Sequence, residues 1–541
     1  MTRQMQRESE MKRLPLMSIV ACMLAQGVWA RAAEERIRAF PGAEGYGALT
    51  PGGRGGQVLF VTNLEDYNPE TEEPIPGSLR AACMAPGPRI VIFRVSGTIH
   101  LKDTSLLIEE PYLTLAGQTA PGDGICVRGQ QVHIATHDVV VRHMRFRCGD
   151  EWGRKNNRPF SPDALGIRGP IWVAGQKLED APREQVVRFI TLKENNKYLN
   201  DPNTKWNFEA HDIIIDHCSV SWGVDEALAV THADNVTVQW CVVSEGLSVS
   251  THGGYHKGFN HSCGLMVAYM VPHVTLHHNL IMHCWQRNPY LQTEWDYANR
   301  NDVVNNIVYN FTYSAGIGYE KENTSGEINF IGNYCIPGPQ TGAKKPCLAM
   351  GVPARIYARG NIGMYRTDPK QDEYDAIHWF GKWRKGYDIS RLKAGEPFDV
   401  PPVTTHSYRE AYKHVLAGAG ATLPKRDPVD ARLVREVETR TGKHINRPAD
   451  VGGWPELRSA PPRKDADNDG IPDEWEEKYG LNPKDASDNT GDNDKDGYTN
   501  VEEWINETDP TEFIDYRKPE NNVVSLRRAD AIDRRAARMG G

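Results

Sequence analysis

The stretch IIIDHCSVSWGVDEAL, from Ile213 to Leu228, decides how the 541-residue chain is interpreted. Its three leading isoleucines are typical of a buried strand, but the stretch carries two adjacent acids, Asp225 and Glu226, near its end. A hydrophobic core does not tolerate unpaired carboxylates, so we predict that this strand delivers them to a surface, where they bind a cation or move a proton. The alternative is an ordinary turn, because Asp and Glu often follow strands for that reason alone.

Short β-rich segments of the same kind recur from Arg89 to about Tyr365. Six positions come into register when the last six segments are aligned, with spacings of 23, 38, 27, 27 and 28 residues: Cys218, Cys241, Asn279, Asn306, Asn333 and Asn361. One strand start per repeat of this length indicates a solenoid, and Asn suits its turns because the side chain satisfies backbone groups. We therefore predict an all-β fold, a right-handed parallel β-helix. A β-propeller is the competing architecture, but its repeats are longer and contain four strands each.

The N-terminal segment has the pattern of a secretory signal. Met11-Lys12-Arg13 precedes the apolar run LPLMSIVACMLAQGVWA, and Ala30-Arg31-Ala32 suits cleavage. The run is short for a membrane span and no second one follows, so we predict a signal peptide over 1–32, secretion to the extracellular space or periplasm, and no membrane span. Removing five basic and two acidic residues takes the net charge from −8 to −11, which argues against nucleic acid as a partner.

The cysteines point to buried thiols. Nine remain after the signal, an odd number, and several are spaced by 21 to 23 residues, as expected for a stack of similar coils. Cys335 and Cys347 flank a Pro-Gly loop and form the one disulfide that we predict.

The C-terminal part contains two copies of an acidic pattern, DADNDGIPDEWE and DNDKDGYTNVEE. Each has oxygen-bearing residues at positions 1, 3, 5, 9 and 12 and a Gly at position 6, the spacing of a calcium loop. The predicted Ca²⁺ ligands are Asp465, Asp467, Asp469, Asp473 and Glu476 in the first loop, and Asp492, Asp494, Asp496, Asn500 and Glu503 in the second. The pattern resembles EF-hand-like or dockerin-like modules, which implies a possible protein partner. A solvated acidic linker is the alternative.

These observations divide the chain into five parts. We predict the signal peptide over 1–32, the β-helix over 33–368, an extension of helices and loops packed on it over 369–460, a small α-helical calcium-binding module over 461–515, and a basic tail over 516–541. The two long interruptions of the repeat, 150–210 and 245–265, are expected to be loops on one face, where solenoids usually carry their function.

Charged residues from different coils are expected to meet in one patch. Successive coils of a β-helix lie about 4.8 Å apart, so Asp163 and Asp225 would lie near Arg287 and Lys257. Carboxylates beside cations make an oxygen-rich metal site that suits a substrate carrying carboxylates. Histidines are numerous, but no zinc spacing such as HExxH occurs.

The order DALGI, IIIDHCSVSWGVDEALAV, NVTVQW, HKG and VTLHHNLIMHCWQRNP resembles the secreted pectate lyases of polysaccharide lyase family 1, over roughly 39–365. The resemblance implies cleavage of α-1,4-linked polygalacturonate by calcium-assisted β-elimination, which yields unsaturated oligogalacturonides. By position it implies Asp163 and Asp225 as calcium ligands, Lys257 as a substrate-binding residue and Arg287 as the base. It also implies a subsite at Pro289.

This chain departs from the family pattern at three positions. Ala229 and Ser161 stand where acids are expected, and Gln292 stands where the family has a second arginine that binds substrate. Glu226 or Asp150 could supply the missing oxygens for calcium, and we include Glu226 in the predicted ligand set.

Two other functions remain open at this point. A glycoside hydrolase on the same fold needs two carboxylates roughly 5 to 9 Å apart, which Asp216, Asp225 and Glu226 could provide. A glycan-binding β-helix without catalysis is the other alternative. Arg287 could likewise serve as a carboxylate clamp, or lie on the surface over an aromatic ring. Calcium dependence separates lyase from hydrolase, and turnover separates both from a binding protein.

Overall fold

The computed structural model describes residues 36–169, 171–173, 206–253, 260–292, 299–312, 326–351, 353–381, 384–385 and 387–523. The predicted signal peptide, Lys257 and the tail from 524 onward lie outside these residues. No helix among the described residues combines the length and the apolar character needed to cross a lipid bilayer.

Three long parallel sheets form the body of the protein. In stacking order, the first sheet contains β1 (Gln57–Val61), β2 (Arg89–Phe93), β5 (Leu113–Ala116), β8 (Val139–Arg142), β13 (Ala210–Asp216), β16 (Ala233–Gln239), β19 (His273–His277), β22 (Arg300–Val304), β24 (Glu327–Ile331) and β27 (Arg355–Arg359). The second contains β3 (Gly97–His100), β6 (Ile125–Arg128), β9 (Arg145–Arg147), β14 (Ser219–Ser221), β17 (Val242–Ser244), β20 (Leu280–Met282), β23 (Ile307–Tyr309) and β25 (Tyr334–Ile336). The third contains β4 (Leu106–Ile108), β7 (Val132–Ile134), β10 (Leu165–Ile167), β15 (Glu226–Thr231), β18 (Cys263–Ala268) and β21 (Tyr290–Leu291).

Two small sheets and several helices complete the described part. The small sheets pair β11 (Ile171–Val173) with β12 (Trp206–Phe208), and β26 (Leu348–Met350) with β28 (Ile377–Trp379). The α-helices are α1 (Leu79–Met84), α2 (Glu151–Asn156), α3 (Tyr408–Gly418), α4 (Pro428–Thr439), α5 (Asp473–Tyr479) and α6 (Asn500–Asn506). Short 3₁₀ helices lie at Tyr46–Leu49, Gly117–Thr119, Glu373–Ala376, Ile389–Leu392, Pro448–Val451, Asp488–Thr490 and Pro519–Asn521.

The strand order makes the fold a right-handed parallel β-helix, as predicted. Each full coil adds one strand to each long sheet, and equivalent residues pair along the stack, for example Ile213 with Val139 on one side and with Val236 on the other. The inward side chains of successive coils, such as Ile213 and Ile215, are fully buried in one continuous core. Burial of this apolar area supplies most of the driving force for folding. A propeller is excluded, because its strands would run in separate blades.

The predicted turn ladder is also present. The Asn279 side chain accepts a hydrogen bond from the Cys241 N–H at 2.9 Å, and Asn306, Asn333 and Asn361 each repeat this contact with the preceding coil at 3.0 Å. Each Asn therefore satisfies a buried backbone donor of the coil before it.

All nine cysteines of the described residues are buried free thiols, as expected for a stacked core. The predicted disulfide between Cys335 and Cys347 is therefore wrong. The thiol of Cys347 instead contacts the Ile362 carbonyl at 3.2 Å, and the thiol of Cys335 lies 3.9 Å from the Cys347 carbonyl. The core is large enough to hold the coils together without a crosslink.

Helices α3 and α4 cover the second sheet. Both are amphipathic, and each begins at a side-chain cap, Ser407 and Asp427 respectively. Their apolar faces, including Leu433, join one cluster with Val242 and Leu280 of the β-helix.

The two acidic loops and their helices cover the first coils on another side. Ile471 and Ile505 join one apolar cluster with Ile92 of β2, and Trp475 and Trp504 pack at its edge. An ion pair between Arg94 and Asp465 at 2.6 Å supports this contact. The module therefore lies directly on the β-helix.

Candidate active site

Carboxylates from two neighbouring coils meet at the N-terminal ends of β10 and β15. The parallel register pairs Leu165 with Leu228, so Asp163 and Glu226, each two residues earlier, lie at the same level. The Asp163 carboxylate accepts a hydrogen bond from the Glu226 backbone N–H at 3.0 Å. The register that buries the strand residues thus also juxtaposes these acids.

Asp163, Asp225 and Glu226 form one acidic cluster. Each offers a carboxylate oxygen, and these oxygens lie within 4.8 Å of one another. Burial and the neighbouring charge of Asp225 raise the pKa of Asp163 well above its ordinary value. Carboxylates that repel each other at this distance fit a site for a hard divalent cation such as Ca²⁺, which prefers oxygen ligands.

Arg287 reaches this cluster from the next coils along the stack. Its backbone oxygen accepts a hydrogen bond from Leu265 N–H at 2.7 Å, which fixes the turn before β21, and its φ of 60° places it in the left-handed region. The guanidinium forms an ion pair with Glu226, whose side chain is 2% exposed. Tyr290 lies beside it, with its ring centroid 5.9 Å from the guanidinium carbon. A residue that is not glycine adopts this backbone only where its surroundings enforce it.

Two histidines complete the surroundings of Asp225. The Nε2 atoms of His252 and His261 lie 3.4 and 3.6 Å from Asp225 Oδ1, and the two rings are 4.2 Å apart. Burial raises the pKa of Asp225, but the hydrogen bond from His252 and the charges of both histidines outweigh it and lower that pKa. We did not predict these histidines, because they lie on a loop and in no recognised spacing. Their only signal in the sequence is their place in the interruption 245–265.

The residues that stand where the family has acids, and the alternative acid Asp150, contact parts of the chain outside the acidic cluster. Ala229 belongs to an apolar patch with Met266 and Tyr290 on the outer side of the third sheet. Ser161 accepts a hydrogen bond from Gly253 N–H at 2.8 Å, and the buried Asp150 forms an ion pair with Arg154 at 2.6 Å. Glu226, not Asp150, therefore adds the third carboxylate to the cluster.

Two of the predicted substrate residues, Pro289 and Gln292, lie near this turn. Pro289 is buried between Asn288 and Tyr290, and Gln292 is largely buried, with its side-chain oxygen accepting a hydrogen bond from Tyr269 N–H at 2.6 Å. Their roles stay predictions, as does that of Lys257, which lies outside the described residues.

The first acidic loop brings most of its predicted ligands together. Asp465, Asp467 and Asp469 form one group, and Asp469 and Glu476 belong to a second. Both oxygens of Glu476 are buried without a hydrogen-bond partner within the described part of the chain. Burial and the charge of Asp469 raise the pKa of Glu476 to about 8. Asp473 differs, because its carboxylate accepts from Ala466 N–H at 2.7 Å and contacts Lys464 Nζ at 2.6 Å.

The second loop repeats this arrangement. Asp492 accepts a hydrogen bond from Gly497 N–H at 3.0 Å, and Asp494 accepts one from Asp496 N–H at 3.1 Å. The oxygens of Glu503 and the amide oxygen of Asn500 are buried without a hydrogen-bond partner among the described residues. Burial raises the pKa of Glu503 to about 8 and that of Asp496 to about 7. Orphaned oxygens of this kind in both loops fit calcium.

The fold and the site define a parallel β-helix protein with an acidic, arginine-paired site on one face. No family model matches the chain. It is 33% identical over 492 residues to the probable pectate lyase C of Aspergillus fumigatus, covering 88% of this chain and 94% of that protein. It is 32% identical over 485 residues to the protein of the same name from Aspergillus terreus, covering 88% and 95%. The chain therefore belongs to the pectate lyase family.

A solved structure of the major allergen from cedar pollen, jun a 1, is 14% identical, with a TM-score of 0.42 over 70% of this chain and 92% of that one. At that score the similarity adds nothing to the fold described above.

Proposed function

We propose that this chain is a secreted enzyme that cleaves α-1,4-linked polygalacturonate by calcium-assisted β-elimination and releases unsaturated oligogalacturonides. The observation that carries the proposal is the ion pair between Arg287 and Glu226 beside Asp163 and Asp225, on coils that the register aligns. Membership in the pectate lyase family supports elimination over hydrolysis and over binding without turnover.

The acidic cluster would hold the cation. Asp163, Asp225 and Glu226 offer oxygens from two coils, and the raised pKa of Asp163 reflects its burial and the neighbouring charge of Asp225, both of which a cation would offset. Bound calcium supplies charge neutralisation of the uronate carboxylate, which makes the neighbouring C5 proton more acidic. His252 and His261 contact the Asp225 carboxylate and favour its ionised form.

Arg287 would act on the substrate. In the proposed step Arg287 accepts the C5 proton, the C4–O bond breaks, a C4=C5 double bond forms, and the departing oxygen takes up a proton from solvent water. Glu226 orients the guanidinium toward the cluster before the substrate arrives. An arginine accepts a proton only when it is uncharged. The paired Glu226 carboxylate favours the charged guanidinium, so this role requires a cation bound at the cluster to offset the charge of Glu226. In the alternative role, Arg287 stays charged and clamps the substrate carboxylate, as its planar fork allows.

The C-terminal module would bind two calcium ions. The orphaned oxygens of Glu476 and Glu503 support one ion in each loop. Its apolar side is used by contacts with β2, so we propose that it stabilises the first coils of the β-helix. The protein partner implied by the dockerin-like pattern stays a prediction, and any such partner would bind the opposite side.

The proposal is tested by replacing Arg287. In Arg287→Ala the fold is retained and turnover of polygalacturonate falls by about 10²-fold or more, because a group that contacts the reacting atoms is removed. Arg355→Ala is the matched control, since Arg355 also pairs with a glutamate, Glu327 at 3.0 Å, but on a distant coil. Mass spectrometry of the products separates elimination from hydrolysis, because an unsaturated product is lighter by one water. Full turnover by Arg287→Ala would contradict the assigned role.

A further inference from the structure

Asp488 lies outside both calcium loops, yet its carboxylate faces the first of them. It begins the one-turn helix Asp488–Thr490 that joins the loops, and one of its oxygens lies within 4.8 Å of oxygens of Asp469 and Glu476. Asp488 Oδ2 accepts a hydrogen bond from Asn482 N–H at 3.0 Å. Asp488 Oδ1 is buried and has no hydrogen-bond partner in the described part of the chain.

The other two acids of this group are more deeply buried. Glu476 is 0% exposed and Asp469 is 2% exposed, and oxygens of both lack a hydrogen-bond partner among the described residues. Buried carboxylates are costly unless they are paired or bind a metal. The nearby Lys464 does not pair with them, because it contacts Asp473 at 2.6 Å. A hard divalent cation that takes six to eight oxygens is the ligand that satisfies all three acids.

The ninth ligand position of the first loop is not filled by Asp473. The loop pattern assigns the ninth position to Asp473, but its carboxylate is held by Lys464 and by Ala466 N–H. We propose that Asp488 takes this place as a ligand of the first calcium ion. The inference rests on the proposed calcium binding by the module and extends the ligand set beyond the 12-residue loop.

The same residue connects the first site to the second. The Asp488 carbonyl accepts a hydrogen bond from Asn500 Nδ2 at 2.7 Å, and Asn500 is the ninth residue of the second loop. The Asn500 N–H donates to the Gly491 carbonyl at 2.7 Å, and Asn489 Nδ2 donates to the Asp469 carbonyl at 2.8 Å. An ion in the first site therefore fixes the segment that positions Asn500, so the two sites bind calcium with positive cooperativity.

The experiment is a calorimetric Ca²⁺ titration of the full chain. The variant Glu476→Gln/Glu503→Gln removes one terminal ligand from each loop and isolates the heat of the β-helix site. Loss of two bound ions in this variant tests the proposed module. If it binds as many ions as the unsubstituted protein, with equal affinities, the module binds no calcium and the underlying proposal fails, whatever Asp488 does.

Asp488→Ala then tests the inference itself, in a Glu503→Gln background that leaves only the first loop site intact. We expect its affinity for Ca²⁺ to fall by about tenfold or more. Asp485→Ala is the matched control, because Asp485 lies in the same segment but its exposed carboxylate accepts hydrogen bonds from the N–H and the hydroxyl of Ser487. With both loops intact, Asp488→Ala also lowers the Ca²⁺ affinity of the second loop site. Asp488→Asn repeats the test with the side-chain volume retained if the alanine variant unfolds. An unchanged first-site affinity overturns the ligand role, and an unchanged second-site affinity overturns the linkage.

Discussion

Replacing Asn306 by alanine tests the turn ladder that keeps the coils in register. The Asn306 side chain accepts from the N–H and the Nδ2 of Asn279 at 3.0 and 2.9 Å, and donates to Leu276 O and Asn333 Oδ1 at 2.8 and 3.0 Å. Asn306→Ala removes four hydrogen bonds and leaves the buried Asn279 N–H without this acceptor. With about 1–3 kcal/mol for the stranded donor and about 1 kcal/mol for each other bond, we expect a loss of about 4–6 kcal/mol.

Asn301 provides a matched control on the same coil. It is 1% exposed, and neither polar atom of its side chain has a hydrogen-bond partner in the described part of the protein. Asn301→Ala makes the same change in volume but breaks no hydrogen bond, so we expect a change of at most about 1 kcal/mol. The assay is equilibrium urea unfolding of the calcium-saturated protein, followed by circular dichroism. Equal losses for the two variants would refute the ladder as a source of stability.

Three further results are expected. Asp225→Ala raises the calcium concentration needed for half-maximal cleavage, and an unchanged calcium titration of activity would argue against Asp225 as a ligand. Burial raises the pKa of Asp427, but the adjacent Arg147 outweighs it and lowers that pKa below its ordinary value. The ionised Asp427 therefore stabilises the fold above about pH 4, and this contribution is lost as the pH falls. The difference in unfolding free energy between the wild type and Asp427→Asn should shrink from pH 7 to pH 3, and a constant difference would contradict this. Burial raises the pKa values of Glu476 and Glu503 to about 8, so calcium binding at pH 7 should release protons. Binding heats that do not vary with the ionisation enthalpy of the buffer would contradict this release.

The fold was predictable because its signal is repeated. Each coil must bury β-branched residues on one side and satisfy its turn, so Asn279, Asn306 and Asn333 recur at the regular spacing that a stack of coils requires. The meeting of Asp163 and Asp225 was predicted by the same logic, but the register places Asp163 level with Glu226 and not with Asp225.

The remaining features depend on contacts that have no repeat. His252 reaches Asp225 through a loop whose path no periodicity describes. Asp488 is remote from the 12-residue pattern that identifies the first loop, and Asp473 fits that pattern although its carboxylate pairs with Lys464. The disulfide prediction used sequence proximity, but Cys335 and Cys347 are free thiols buried in the core.

The most direct test of the central claim is the ultraviolet absorbance of polygalacturonate incubated with the purified protein, first with calcium and then with a chelator. Elimination creates a C4=C5 double bond conjugated with the carboxylate, so we expect the absorbance to grow with calcium and to stop growing when the chelator is added. Reducing ends that accumulate without this absorbance would show hydrolysis and would contradict calcium-assisted elimination at the cluster of Asp163, Asp225 and Glu226.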